Sequence, residues 1–301
     1  MPCNTHSTHD PPDGKPTPAL ITRAAIKLTG AGVLVVNAGG ARVRPNIPII
    51  DLQGEPGRDI RTGLAINHEV VDRVFENGVI LGGENLARIS EAIVIGESIP
   101  AGTTTAMAFL VAMGYDAWDK MSSASPVNPR ELKIAVVREA LRNAGINKPL
   151  EDPLEAVSRV GDPVIVAMAS ITIGAAKQGA KVLLAGGTQM AAVLAFIKHA
   201  DKNALSNVAI GTTRWLVNDR TADLIGLVRE IAHVPVASAN LDFGNMPYEG
   251  LKAYESGFVK EGVGAGGASI AAISRGYSIS QLQGAILSDY EELLRSMGNT
   301  T

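Results

Sequence analysis

Apolar residues fall into two kinds of run along this chain. Short, near-continuous stretches occur at VLVVN (33–37), IPII (47–50), AIVIG (92–96), KVLLA (181–185), NVAIG (207–211) and VPVAS (234–238). Their length and branched-chain content predict strands buried on both faces. Longer stretches with helical spacing lie between them, at 67–77, 103–113, 130–144, 162–178, 188–200, 219–231, 247–255, 264–274 and 279–297. Asn128-Pro129-Arg130-Glu131 has the form of a helix start, with proline in the first turn and an acid soon after. This alternation predicts an α/β fold: a doubly wound, mostly parallel sheet of about six strands with helices on both faces. Residues 1–17, rich in Pro, Thr, His and Asp, read as a flexible tail. Residues 18–301 read as one domain, whose terminal helices are placed to pack as a small helical lobe.

In such folds ligands bind outside the carboxyl ends of the strands. The small and polar residues cluster there. Asn37-Ala38-Gly39-Gly40 follows the first strand, Gly96-Glu97-Ser98 the third and Gly186-Gly187-Thr188 the fourth. Gly211-Thr212-Thr213 and Ser238-Ala239-Asn240 follow the fifth and sixth.

Composition narrows the functional classes. The 301 residues are 46% hydrophobic and 19% charged, which is globular rather than disordered. A formal charge of −3 and 4% aromatics supply neither the basic stripe nor the stacking platforms of a nucleic-acid binder. The apolar runs at 164–176 and 182–197 are too short to span a membrane. The single cysteine, Cys3, allows no internal disulfide, which fits a reducing, cytoplasmic location.

The segment GESIPAGTTTAMAFL (96–110) runs from a strand into an apolar helix opened by Gly102, Thr103, Thr104 and Thr105. Free N–H groups and three hydroxyls at a helix start suit phosphate, although an ordinary Thr cap has the same local pattern. No lysine follows the glycine at Walker spacing. Cys3, His6, His9 and Asp10 are metal-ligand types, but they stand in the tail without a partner pair, so no metal site is expected. His68, His199 and His233 have no nucleophile or acid at motif spacing.

KEGVGAGGAS (260–269) contains a G-x-G-x-x-G spacing. No apolar strand precedes it and no acid follows about 20 residues later, so it is not a dinucleotide turn. Gly262, Gly264, Gly266 and Gly267 can instead let a ligand approach, with Glu261 as a general base if its pocket is apolar. The competing reading is a solvent-exposed Lys260–Glu261 pair.

Taken together, these segments resemble the nicotinate-nucleotide:dimethylbenzimidazole phosphoribosyltransferases, and within them a divergent archaeal-type branch. Residues 152–197 (DPLEAVSRVGDP through VLLAGGTQMAAVLAFI) resemble the family's D-P-L-E motif, its following helix and its P-V-L-L-D-G-F strand and turn. GESIPAGTTTA is similar to its G-E-M-G-I-G-N-T-T phosphate loop. ELKIAVVREAL (131–141) is similar to R-K-I-A-V-I-E-R-A-L, which places Lys133 on a phosphate-contacting lysine. FVKEGVGAGGAS is similar to R-L-G-E-G-S-G-A-A, which places Glu261 on the family's general base. The resemblance spans roughly residues 17–297 in consistent order. Three departures stand out. Ser122-Ser123-Ala124-Ser125-Pro126 replaces a G-R-G-T-G turn, Arg42-Val43-Arg44-Pro45 replaces an A-D-H-G sequence, and the first strand comes early.

The resemblance implies transfer of 5-phosphoribose from nicotinate mononucleotide to a benzimidazole-type base, without cofactor or metal, by a homodimer. Glu261 would be the base. Glu97, Gly102, Thr103, Thr104, Thr105, Lys133, Gly186 and Gly187 would bind the nucleotide, and Asn37, Gly39, Gly262 and Gly264 the incoming base. Transfer to another base, hydrolysis of the nucleotide, and nucleotide binding without catalysis are the alternatives on the same scaffold.

Overall fold

The computed structural model describes residues 14–40 and 48–298. The Cys3–His6–His9–Asp10 group and the Arg42–Pro45 departure lie outside the described residues. All six predicted strands form: β1 Val35–Asn37, β2 Ile49–Asp51, β3 Ala92–Gly96, β4 Lys181–Ala185, β5 Val208–Thr213 and β6 Val236–Ala239. All pair in parallel, as expected, but they divide between two sheets. β1 and β2 form one, and the other has the order β3-β4-β5-β6.

Alternation along the larger sheet sends side chains to two different cores. Val182, Leu184, Val208 and Ile210 enter the main core with two apolar helices, Pro163–Lys177 and Gln189–Ala200. These helices are buried almost all round, which is why their sequences lack a polar stripe. The opposite face of the sheet, at Val94, Ala185 and Gly211, meets the helix Ala265–Ser274. Helices therefore cover both faces.

A second apolar cluster joins that helix to the terminal segments. It contains Leu20, Ile21, Ala24 and Ala25 of helix Ala19–Thr29, and Leu282, Ile286, Tyr290 and Leu293 of helix Ile279–Gly298. Residues 14–17, read from sequence as tail, are tied to it. The Tyr254 hydroxyl donates to Pro16 O at 2.9 Å and the Tyr290 hydroxyl to Gly14 O at 3.1 Å.

Asp-Pro sequences start two helices for a plain reason. Asp152 accepts from Leu154 N, Asp162 accepts from Val164 N and Ile165 N, and proline follows at the first helical position, where no N–H is needed. The run predicted as one helix over 162–178 is thus preceded by a separate one, Pro153–Val160.

Candidate active site

The carboxyl end of β3 is pressed against the loop before helix Ala265–Ser274. A side chain at Gly96 would put Cβ 2.6 Å from Gly264 Cα, so only glycine allows this approach. Val263 N donates to Glu97 O at 2.8 Å across the same junction. The result is that two acids, Glu97 and Glu261, share one end of the sheet.

The Glu261 carboxylate accepts from Gly266 N at 3.1 Å, Gly262 N at 3.3 Å and the Thr212 hydroxyl at 3.4 Å. Burial pushes its pKa up to about 7; the backbone N–H groups oppose this and the neighbouring Glu97 charge adds to it. Glu97 is 8% exposed, accepts from Ile99 N at 3.1 Å and faces the Gln189 amide at 3.4 Å. Burial, followed by the charge of Asp162, pushes it up to about 7 as well. Two carboxylates balanced near neutrality are poised to exchange protons with a ligand.

The loop carrying Glu261 is strained. Val259 (φ 50°) and Val263 (φ 52°) are β-branched residues in the left-handed region, which costs each of the order of 1–3 kcal/mol. Hydrogen bonds to neighbouring elements hold it there besides those to Glu261. Val259 N donates to Ala124 O at 2.8 Å, the Thr213 hydroxyl to Lys260 O at 2.5 Å, Val263 N to Glu97 O, and the Thr22 hydroxyl to Val263 O at 2.8 Å.

The glycines that follow serve packing. A Cβ at Gly266 would lie 2.2 Å from the Thr212 carbonyl carbon, and one at Gly267 would lie 2.3 Å from the Ala185 Cβ. Gly266 and Gly267 thus let the helix approach the strands closely. Gly264 is also buried, against Gly96 and Ala185, and Gly262 faces Pro18.

Helix Gly102–Ala112 begins beside Glu97, with Ala101 left-handed and Gly102 against Ile99 and Gln189. The Thr105 side chain is engaged within the protein. Its hydroxyl donates at 2.5 Å to Asp162, a buried carboxyl pushed upward by burial. Thr103 and Thr104 stand half-exposed at the same turn. Asn37 accepts from Gly39 N and Gly40 N at the end of β1, and a Cβ at Gly39 would approach Pro163 to 3.0 Å. That puts the β1 loop next to Asp162. Gly186 N donates to Gly211 O at 3.0 Å, joining the ends of β4 and β5.

Lys133, 6% exposed in helix Arg130–Asn143, donates to Ser122 O at 2.5 Å and Asn128 Oδ1 at 3.1 Å. Burial lowers its pKa to about 8, helped by the charge of Lys260. Ser122 in turn meets Thr188, next to Gly187, at 3.1 Å. Lys133 is thereby linked through Ser122 to Thr188, and Gln189, one residue on, faces Glu97. Asp162, Lys260, Thr212 and Thr22 belong to this network too and were given no role from sequence, although Thr212 stands in the polar run after the fifth strand and Lys260 beside Glu261. Asp162 carries a signal of its own in its Asp-Pro helix start.

The histidines stay apart from the site. His68 pairs with Asp72 at 3.1 Å and His199 with the Tyr115 hydroxyl at 3.0 Å. Among the described residues no group of ligand types could hold a metal ion, and no helix is long and apolar enough to cross a membrane.

Comparison with known proteins bears on this geometry. The family model DBI_PRT, described as phosphoribosyltransferase, matches residues 20–212, a span that includes Glu97 and Lys133 and ends before Glu261. A UPF0284 protein of Sulfolobus acidocaldarius is 51% identical over 283 residues, covering 94% of this chain and 80% of the relative. One from Sulfurisphaera tokodaii is 49% identical, covering 95% and 79%. Among solved structures, a nicotinate-nucleotide-dimethylbenzimidazole phosphoribosyltransferase from Thermus thermophilus matches with a TM-score of 0.57. It is 18% identical, with 88% of this chain and 74% of that one covered. CobT from the same organism matches with a TM-score of 0.58 at 15% identity, covering 90% and 76%. These two likenesses show a shared fold. The chain belongs to the DBI_PRT phosphoribosyltransferase family, in an archaeal branch together with the UPF0284 proteins.

Proposed function

We propose that this phosphoribosyltransferase moves 5-phosphoribose from nicotinate mononucleotide to a benzimidazole-type base, giving the α-riboside 5′-phosphate that serves as the lower-ligand nucleotide of cobamides. The observation that carries the reading is Glu261: a carboxylate with a pKa near 7 at the strand ends, fixed by Gly266 N and Thr212. One nitrogen of the incoming base attacks C1′. The C1′–N bond to the pyridinium breaks, its electron pair returns to the ring nitrogen, and nicotinate leaves without needing an acid. Glu261 takes the proton from the other nitrogen of the base, which a group ionised near neutral pH does well. This step requires neither cofactor nor metal.

The remaining residues position the reactants. Gly102, Thr103, Thr104, Gly186, Gly187 and Lys133 hold the nucleotide, with Thr105 fixed by Asp162 as the brace of that loop. Glu97 adds to the upward shift that burial gives Glu261, and Asn37, Gly39, Gly262 and Gly264 border the incoming base. The enzyme acts as a cytoplasmic homodimer in this reading. Support for the dimer comes from an apolar groove among Leu34, Ile50, Ile80 and Ile89, all exposed, since patches of this kind mark contact surfaces.

The test is turnover of nicotinate mononucleotide with dimethylbenzimidazole. Glu261→Gln should lower kcat by about 10²–10⁴, and an unchanged kcat would remove Glu261 as the base. Thr103→Ala and Lys133→Met should raise KM for the nucleotide; unaltered KM in both would remove the phosphate assignment.

A further inference from the structure

Around the 122–126 turn two buried lysines, Lys133 and Lys260, are accompanied by one buried carboxylate, that of Asp219. Lys260 is 4% exposed and lies 3.1 Å from Asp219, whose side chain is equally buried. Asp219 also accepts from Thr221 N at 2.9 Å and the Thr221 hydroxyl at 2.8 Å. The Asn128 amide bridges Thr221 to Lys133. The Arg130 guanidinium donates to Thr221 O at 2.9 Å, yet its Nε is buried with no hydrogen-bond partner. Lys260 is ion-paired with Asp219, whereas Lys133 and the half-buried Arg130 donate to neutral oxygens of the same network. A buried charge is tolerated when it is paired, so a cluster with surplus cations is completed by an anion.

The two lysines clasp the ends of one turn. Lys133 donates to Ser122 O, and Lys260 donates to Ser125 O at 3.3 Å. This is the 122–126 turn, whose serines stand in place of a glycine-rich segment and whose carbonyls face the ammonium groups. Outside it, Lys260 lines a cleft of about 320 Å³ together with Pro126, Asn218, Asp219, Arg220 and Ser256. Lys260 directly precedes Glu261, so an anion held there is tied through the backbone to the catalytic loop.

We propose that Lys260 is a second phosphate-binding residue, which with Lys133 holds the 5′-phosphate of the nucleotide at the 122–126 turn. The proposal rests on the phosphoribosyl-transfer reading and sharpens its phosphate subsite. Asp219 holds the Lys260 ammonium in place while the subsite is empty.

Lys260→Met should raise KM for nicotinate mononucleotide by about 10- to 100-fold, with kcat changed by less than about threefold, because one charge-assisted contact is lost. Lys260→Arg should recover most of the affinity. Nicotinate riboside, which lacks the phosphate, should bind wild type and Lys260→Met equally. An unchanged KM for the mononucleotide, or an equal loss for the riboside, overturns the proposal. If wild type turns over no base, calorimetry with nicotinate mononucleotide and with inorganic phosphate decides separately: weaker binding to Lys260→Met supports the subsite, and equal binding overturns it. If Lys260→Met fails to fold because Asp219 is stranded, the same comparison is made between Asp219→Asn and Asp219→Asn/Lys260→Met, with the same two outcomes.

Discussion

Glu97 and Glu261 give the protein opposite pH responses in activity and stability. A general base works only when ionised, so kcat/KM should fall as pH drops through about 7, the value to which burial lifts Glu261. Stability runs the other way. An acid whose pKa is raised from its ordinary 4.5 to about 7 holds its proton more tightly in the folded state. Its favourable contribution is therefore complete below about 4.5 and lost as pH rises through 7. Glu261→Gln and Glu97→Gln should each raise Tm at pH 8 and leave it nearly unchanged at pH 5. A lower Tm at pH 8 would mean the carboxylates stabilise the fold. Lys133 adds a third limb, because it loses its proton above about 8, and KM for the nucleotide should climb there. At this scale the sequence exposed Glu261 through its resemblance to a known loop, but could not tell that Lys260 beside it is buried rather than solvent-exposed. Burial of Lys260 depends on Asp219 and Ser125, far away in the chain.

Among the elements, β3 and β4 match their predicted bounds because Val/Ile/Leu runs ended by glycine or polar residues leave little choice. What the pattern does not encode is which strands become neighbours, so the division into two sheets emerged only in three dimensions. Glycines show the same limit. Periodicity treats Gly266 and Gly284 alike, yet their surroundings differ entirely. A Cβ at Gly266 would strike the Thr212 backbone, whereas one at Gly284, within helix Ile279–Gly298, meets nothing within 4 Å. Gly266→Ala should destabilise the protein by about 1–3 kcal/mol or more through overpacking, and should also displace Glu261. Gly284→Ala should stabilise it by about 1 kcal/mol through helix propensity. Urea unfolding of the two variants checks both signs.

For the whole molecule, the site depends on both cores. β3 to β5 come from the main core, while Thr22, on a helix packed in the second cluster, braces the loop that carries Glu261. The terminal helices therefore help shape the site as well as close the structure. The proposed dimer makes a separate prediction. Ile80 and Ile89 are 54% and 80% exposed beside the apolar groove, so sedimentation should give a dimer for wild type and a monomer for Ile80→Glu/Ile89→Glu. A wild-type monomer would discard that assembly without touching the chemistry. The chemistry itself is tested most directly by nicotinate release from nicotinate mononucleotide, measured with and without dimethylbenzimidazole, for wild type and Glu261→Gln. The account predicts release that needs the base and falls by about 10²–10⁴ in the variant; release indifferent to the base, or equal in the two proteins, would contradict it.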